Sequence, residues 1–481
     1  MTTFIRSFGL RVSLFLAGYI AACSPNGGTK QGNVVIIISD ALRQDVIGCY
    51  GGEALTPNID WLAQNGVVLE NAYSNGPWTV PSCIALLTGN YPTSYGSRPF
   101  AKTIRVDVPL SERLMGEVLR DLGYATFARV DNLHAQIHGN MQGYEGISSG
   151  QEVPTHVGGG ENKSELEEIL GHELTGPKMY FNLYETLERM LDVPATQRIM
   201  MLYWMLDPHS PYKPIDRFRK RIETDVSSLP RHPSYYSQGM HKAHDLSPEE
   251  RAYIRRLYVA EVESVDERVG YVIEVLRHTG RLDDTYIVFT SDHGEQLGER
   301  GDWGHGAFGR NSNYYEVLTR IPMIIAGPGI PKGKRRKIPV SLVDIQPTLK
   351  ELLGVEYADS MQGRSFTDAL LGEDRQAFVY FTDVREHDQM DALLENGYKL
   401  IAHGDRSFEL YHLQTDPDEE KNLATEEPER VARMFEKIEA HRAENLIRRM
   451  ENTGETVTTQ PPMSDDEIRK TLKALKALGY M

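Results

Sequence analysis

The chain has 481 residues, with 52 Lys and Arg against 68 Asp and Glu, a net charge of −16 at pH 7. So acidic a body argues against nucleic acid as a partner, and an anionic substrate must be drawn by a local positive site against the general field. With 40% hydrophobic residues the length supports a large core, one big domain with a smaller one beside it, and three cysteines exclude a disulfide scaffold.

The amino terminus reads as a targeting segment. Arg6 and Arg11 supply a short positive region, Val12 to Ala22 is apolar, and the run ends in Ile20-Ala21-Ala22-Cys23. The apolar run is about half the length that a bilayer span needs. This is the pattern of a lipoprotein signal peptide over 1–22, cleaved before Cys23 with acylation of its thiol; the alternative is an ordinary signal whose Cys is incidental. Residues 23–32 form a flexible tether. Cleavage removes two Arg and no acid, which leaves 50 basic against 68 acidic residues, or −18. No later run reads as a membrane helix, so the expected body is globular. It would be held at a membrane by its lipid alone, in the cell envelope on a periplasmic or extracellular face. Cys49 and Cys83 then remain, as one disulfide or as two free thiols.

Asn33–Ser39 is a continuous β-branched run that suits a buried parallel strand, and Asp40 follows it. Thr56-Pro57-Asn58 opens a helix over about Ile59–Asn65. A helix is predicted over Leu110–Leu122, a strand from Gly123, and a Gly-rich surface insertion over 146–165. Arg198–Leu206 is a strand that ends in Asp207. Residues 210–245 hold many Pro, Arg and His without a period, which suggests a long functional loop. Ser247-Pro248-Glu249-Glu250 is a capping box that opens a helix to about Thr279. Thr285–Ser291 is a strand followed by Asp292, and Pro322–Ala326 is a shorter one. Lys334–Lys337 is a basic run that reads as a solvated turn. Trp78, Trp204 and Trp303 adjoin these segments, either walling the sheet edge or lining a pocket for a ring. The alternation predicts an α/β sandwich with a mostly parallel central sheet. Asp40, Asp207 and Asp292 would then sit at its carboxyl edge, where such folds bind ligands.

Asp292-His293-Gly294-Glu295 adds an imidazole to that edge, with Gly294 permitting a turn. Carboxylate oxygen with imidazole nitrogen suits Zn²⁺, Mn²⁺ or a harder ion such as Ca²⁺. The segment Phe289–Glu299 resembles the metal segment of the sulfatases, in the alkaline-phosphatase superfamily, and Ile38–Arg43 is similar to that family's first metal segment. Between them, Tyr73–Pro92 resembles its nucleophile loop, which reads Cys-x-Pro-Ser-Arg, then a short helix, then Thr-Gly. Pro81, Ser82, Thr88 and Gly89 keep that frame. Thr56–Asp60, Leu206–Tyr212, Val343–Leu349, Gly363–Ser365, Tyr398–Leu400, Glu409–Leu413, Asp416-Pro417 and Asn422-Leu423 match further landmarks in order.

The resemblance implies a sulfatase-like three-layer α/β sandwich over 33–355, a small C-terminal α+β subdomain over 356–425 and a helical tail over 426–481. It implies Asp40, Asp292 and His293 as ligands of one divalent ion, Ca, Zn, Mn or Mg. Thr79 would be the nucleophile and touch that ion, and His209 and His305 would hold the transferred group or serve the leaving oxygen. Arg43 would bind substrate or orient Asp40, a plain salt bridge being the alternative. Asp207, His209 and His305 form a candidate second metal site. Two departures matter. The Cys that the family oxidises to formylglycine is Thr79 here, and the family's Arg is Cys83, so support for the nucleophile must come from elsewhere. A Thr ester cannot collapse as the aldehyde hydrate does; release needs attack at the central atom, which shifts the expectation toward phosphate mono- or diesters. The arrangement of Asp292-His293-Gly294-Glu295 followed twelve residues later by His305-Gly306 is similar to that of the phosphoethanolamine transferases, which carry transmembrane helices. Three readings follow: a hydrolase of sulfate or phosphate esters, a transferase onto an envelope glycan or lipid head group, and a non-catalytic glycan-binding lipoprotein.

Overall fold

The computed structural model describes residues 32–454, apart from 101–102, 136–137, 139, 149–163, 177, 223–228, 237–244, 306–312, 358–360, 374–376 and 385–389. The signal, the tether and Cys23 lie outside the described residues. An eight-stranded sheet runs through the molecule. Its strands are β1 (Asn33–Ser39), β2 (Gly66–Leu69), β3 (Ala125–Val130), β4 (Glu145–Ser148), β5 (Ile199–Met205), β6 (Thr285–Ser291), β7 (Met323–Ala326) and β8 (Lys334–Arg336). Their spatial order is β8-β2-β7-β6-β1-β5-β3-β4. The sheet is mostly parallel, with β7 opposing its neighbours β2 and β6.

Every residue of β1 is buried because its two faces feed two cores. Val34, Ile36 and Ile38 pack with the helices Thr79–Thr88, Met115–Asp121 and Ile345–Leu353. Val35 and Ile37 pack with Pro57–Asn65, Lys178–Leu191 and the long helix Pro248–His278. This gives the three layers. A second, antiparallel sheet follows: β9 (Phe378–Thr382), β10 (Asp391–Glu395), β11 (Tyr398–Ala402) and β12 (Phe408–His412). One face packs on Tyr73 and Tyr314 of the main body. The other takes Val431, Met434, Phe435 and Ile438 of the helix Pro428–Thr453. That helix is therefore a layer of the C-terminal subdomain and not a separate tail; 455–481 lie outside the described residues.

Several local expectations change. The helix expected from Leu110 runs only over Met115–Asp121. The chain before it turns on Glu112 N–H to Pro109 O, and Tyr95 Oη and Asn90 hold the Glu112 carboxylate. Thr56 does not cap the helix after it, since its hydroxyl accepts from Gly48 N–H; Asp266 of the long helix caps Asn58 and Ile59 instead. The 210–245 segment contains the helices Asp216–Ile222 and Pro233–Tyr236. The basic run is the edge strand β8, with Arg335 on Glu70 at 2.5 Å, a charged edge of the kind that discourages further pairing. Cys49 and Cys83 are free thiols. No helix among the described residues is long and apolar enough to cross a membrane.

Candidate active site

β6, β1 and β5 lie side by side with Ser291, Ser39 and Met205 at one level, so the chain leaves all three strands at one edge. Ala41 takes a left-handed backbone (φ 60°), which aims its N–H at Asp292 Oδ1 at 3.0 Å. Such a conformation in a residue with a Cβ marks a position over-determined by its surroundings. Gly294 is needed for room: a Cβ there would meet Val317 O at 2.0 Å, and its N–H donates to Leu318 O at 2.8 Å.

Asp40, Asp292 and His293 meet here, all fully buried. His293 Nδ1–H donates to Gly294 O at 2.8 Å, so Nε2 carries the lone pair. That nitrogen lies 3.5 Å from Asp40 Oδ1 and 3.5 Å from Asp292 Oδ2, and neither oxygen has a hydrogen-bond partner. Burial, then the charge of Asp292, raises the Asp40 pKa well above the carboxylate range; burial takes Asp292 up to about 7 and drives His293 well below its ordinary value. Two orphaned carboxylate oxygens facing an imidazole lone pair repel one another unless protons or a cation stand between them. The donor set therefore fits a divalent ion, and it is the one group of metal-binding side chains among the described residues.

Thr79 is the first residue of a helix in which every residue is buried. Its Oγ1 is 3.5 Å from His293 Nε2 and 3.3 Å from Asn132 Nδ2, and the same Asn132 amide donates to Asp40 Oδ2 at 2.5 Å. Asn132 thus bridges the hydroxyl and the carboxylate. Sequence reasoning missed it, although it follows β3 at the same sheet edge. Cys83 points elsewhere, with Sγ on Val80 O at 3.2 Å.

His209 and His305 close the site. Their ring centroids are 4.8 Å apart, and those of His305 and His293 are 4.3 Å apart. His209 Nδ1–H donates to Ser210 O at 2.5 Å. Burial, then His305, lowers its pKa to about 3, which leaves Nε2 an acceptor. His305 Nδ1–H donates to Glu295 Oε1 at 2.9 Å. Burial opposes the charged form of His305, but Glu295 outweighs it and raises the pKa. Glu295, fully buried, is a second functional residue whose role the sequence reading left open. The backbone N–H of His134 donates to Asn132 Oδ1 at 2.8 Å and helps hold that amide in place.

Other expected residues turn away. Arg43 pairs with Asp45 at 2.7 Å and Glu299 at 2.5 Å and donates to Glu295 O at 3.1 Å, so it neither orients Asp40 nor faces a substrate; the salt-bridge alternative describes it. The Asp207 carboxylate accepts from buried Arg268 and does not join His209 and His305 in a second metal site. Trp78, Trp204 and Trp303 are buried as walls, with Trp78 Nε1 donating to Asp383 at 3.1 Å.

The profile of the Sulfatase family matches residues 32–355, and that of the N-sulphoglucosamine sulphohydrolase C-terminal region matches 303–444. The chain is similar to the uncharacterized sulfatase YidJ of Escherichia coli K12, 26% identical over 440 residues that cover 82% of this chain and 83% of YidJ. Among solved structures it resembles BT4656 in complex with its substrate D-glucosamine-2-N,6-O-disulfate, with a TM-score of 0.66 at 21% identity over 88% of this chain and 99% of that one. The phosphonate monoester hydrolase of Agrobacterium radiobacter also gives a TM-score of 0.66, at 20% identity over 86% and 96%. These matches favour neither the transferase nor the silent glycan-binding reading. The chain belongs to the sulfatase family, has the α/β fold of the alkaline-phosphatase superfamily, and is an ester hydrolase.

Proposed function

We propose that this protein hydrolyses anionic sulfate or phosphorus esters borne on a sugar or lipid head group, with Thr79 as a metal-activated nucleophile and a covalent ester on its oxygen. The observation that carries this reading is the placement of Thr79 Oγ1 beside His293 Nε2 and Asn132 Nδ2, over the orphaned oxygens of Asp40 and Asp292. Asp40, Asp292 and His293 would hold the ion, with Thr79 beside them. A divalent cation bound there supplies the charge that makes loss of a hydroxyl proton accessible near neutral pH.

In the first step Thr79 Oγ1 attacks sulfur or phosphorus and its proton passes to His209 Nε2. The bond from the central atom to the leaving oxygen breaks, and His305 Nε2–H protonates that oxygen. In the second step water attacks the same atom and gives a proton to His305. The bond to Thr79 Oγ1 breaks, and His209 returns its proton to Thr79. An acid and a base whose surroundings push their pKa values apart suit these two roles. Glu295 keeps His305 Nδ1 protonated and Nε2 turned to the substrate.

Mass spectrometry of acid-quenched turnover tests the route: an ester on the Thr79 peptide is expected, and full activity in Thr79→Ala would refute it. A panel of aryl sulfate, phosphate monoester, phosphate diester and phosphonate substrates identifies the ester. The lipid anchor at Cys23 and the envelope location belong to this reading; metabolic labelling with a clickable fatty acid, lost in Cys23→Ser, is the expected result.

A further inference from the structure

The turn Asp207–Tyr212 carries His209, and two other residues of that turn, Asp207 and Tyr212, line a cavity of about 1320 Å³. Pockets for drug-sized ligands run to about 1,000 Å³, so the cavity has room for a chain of groups beside the one at the catalytic edge. We propose that it is a subsite for a second, anionic sugar unit of the substrate, attached to the unit that bears the scissile ester. The proposal rests on the hydrolase reading above and names the substrate class of that site.

Charge is the first argument. Within a chain of net charge −16, residues 213–221 carry Lys213, Arg217, Arg219, Lys220 and Arg221 against one acid, Asp216. Arg217 is held by Glu267, Arg219 by Asp216 at 2.7 Å and Arg221 by Glu263 at 2.8 Å. Lys213 and Lys220 are exposed on the cavity lining and have no ion-pair partner among the described residues. They offer two uncommitted ammonium groups on the wall of this cavity.

The cavity wall supplies the second argument. Glu261 lines it at 2% exposure, and its Oε2 has no hydrogen-bond partner. The other carboxyl oxygen accepts from Lys213 N–H. Burial, then the charge of Asp207, raises the Glu261 pKa well above the carboxylate range. The orphaned oxygen is a buried polar atom without a partner on the cavity wall, and a sugar hydroxyl is a group that can pair with it. Tyr253 and Leu257 give the same wall an apolar surface that suits the C–H face of a sugar ring. Cations, an unpartnered buried carboxyl oxygen and an aromatic face together fit an anionic sugar better than an acyl chain, which could use only the last.

The experiment uses the full chain and the double variant Lys213→Ala/Lys220→Ala, both sites being exposed. Kinetics are compared on a nitrophenyl ester with one anionic group and on sulfated glycosaminoglycan and galactan tetrasaccharides. The subsite predicts unchanged turnover of the nitrophenyl ester and a rise of about 10-fold in KM, not kcat, on a tetrasaccharide, shrinking in high salt. Equal loss on both substrates, or no loss on either, overturns it. Calorimetric binding of the tetrasaccharides to Thr79→Ala, with and without the lysine pair, needs no turnover. If wild type cleaves no ester but binding weakens with the pair, the subsite stands and the hydrolase reading falls. If no tetrasaccharide binds, or binding ignores the pair, the subsite falls alone.

Discussion

Replacing Lys399 tests how far the C-terminal sheet holds the active site in place. Lys399 lies on β11 with no exposure; its Nζ is 2.6 Å from Glu316 Oε1 and 2.9 Å from Glu419 Oε1 and donates to Tyr314 O at 2.7 Å. Burial opposes its charge, but Glu316 and Glu419 together hold its pKa above the ordinary value. Glu316 opens the short helix Glu316–Thr319, where Leu318 O accepts from Gly294 N–H at 2.8 Å and Thr319 O from Ser74 N–H at 2.7 Å. One lysine of the second sheet thus braces a turn that supports both the Asp292-His293 loop and the approach to Thr79. Lys399→Ala leaves two carboxylates, one 11% and one 2% exposed, with only Arg320, 3.8 Å from Glu316 Oε2, as a remaining cation. Breaking a buried pair from one side costs about 3–5 kcal/mol, against about 5–15 kcal/mol for a whole domain. Urea unfolding should show a loss in that range, and kcat should fall as the carbonyl supports shift. Lys399→Met with Glu316→Gln and Glu419→Gln removes the stranded charges and should recover more than half of the stability. A loss under about 1 kcal/mol, the scale of a surface pair, would refute the brace, and so would a large loss with kcat unchanged.

Asn132→Ala removes the donor shared by Thr79 and Asp40, and supporting residues of this kind are worth about 10–100-fold in activity or metal affinity; Asn132→Asp should be no better, and activity within twofold of wild type in either speaks against the bridge. Metal titration of the chelated protein at pH 7 should release roughly one proton, because Asp292 lies up at about 7 and burial raises Asp40 well above the carboxylate range. Calorimetry in buffers of different ionisation enthalpy measures this, and buffer-independent heats contradict it. Burial pushes Glu409 up, but hydrogen bonds from His403, Tyr411 and Tyr315 win and bring it down to about 2. A depressed carboxylate stabilises the fold fully above its unfolded pKa of about 4.3 and loses that contribution as the pH falls toward 2, so Glu409→Gln should cost about 3 kcal/mol at pH 7 and progressively less below pH 4. Urea midpoints that differ equally at pH 7 and pH 3 rule this out.

The parts of the site visible in the sequence are those whose signal is local. β1, β5 and β6 are unbroken apolar runs, each followed within two residues by an acid, so Asp40, Asp207 and Asp292 could be placed on one edge before any topology was known. β3 ends at the same edge, yet its sequence, Ala-Thr-Phe-Ala-Arg-Val, carries a buried Arg129 that pairs with Asp131. That charge hides the end of the strand, and Asn132 with it. The role of Arg43 stayed open between two readings for the opposite reason. Its motif looks local, but one partner, Glu299, lies 256 residues away, and no pattern near Arg43 announces it. The helix Pro428–Thr453 shows the same limit: Val431, Met434, Phe435 and Ile438 have helical spacing, while the sheet they cover appears only in the fold.

The exchange of supports around Thr79 has a further consequence. On the resemblance of the Thr79 loop to the family's, Cys83 stands at the Arg position, and the donor that reaches Thr79 Oγ1 is the neutral amide of Asn132. No described Lys or Arg side chain donates to Thr79, Asp40 or Asp292, so on the proposed mechanism the described residues around Thr79 offer positive charge only through His305 and through a cation that Asp40, Asp292 and His293 would hold. A guanidinium offers a fixed charge to the oxygens of the transferred group; an amide offers only a dipole. A site with one positive charge fewer loses more on an ester with two negative charges than on one with a single charge. Sulfate monoesters, phosphate diesters and phosphonate monoesters should therefore be turned over faster than phosphate monoesters with the same leaving group. The ratio should narrow at lower pH, where a phosphate monoester takes up a proton near pH 6. Asn132→Arg, which places a cation beside Thr79, should shift the ratio toward the dianion. A wild-type preference for the phosphate monoester at pH 8 would show that the missing guanidinium does not set the ester class.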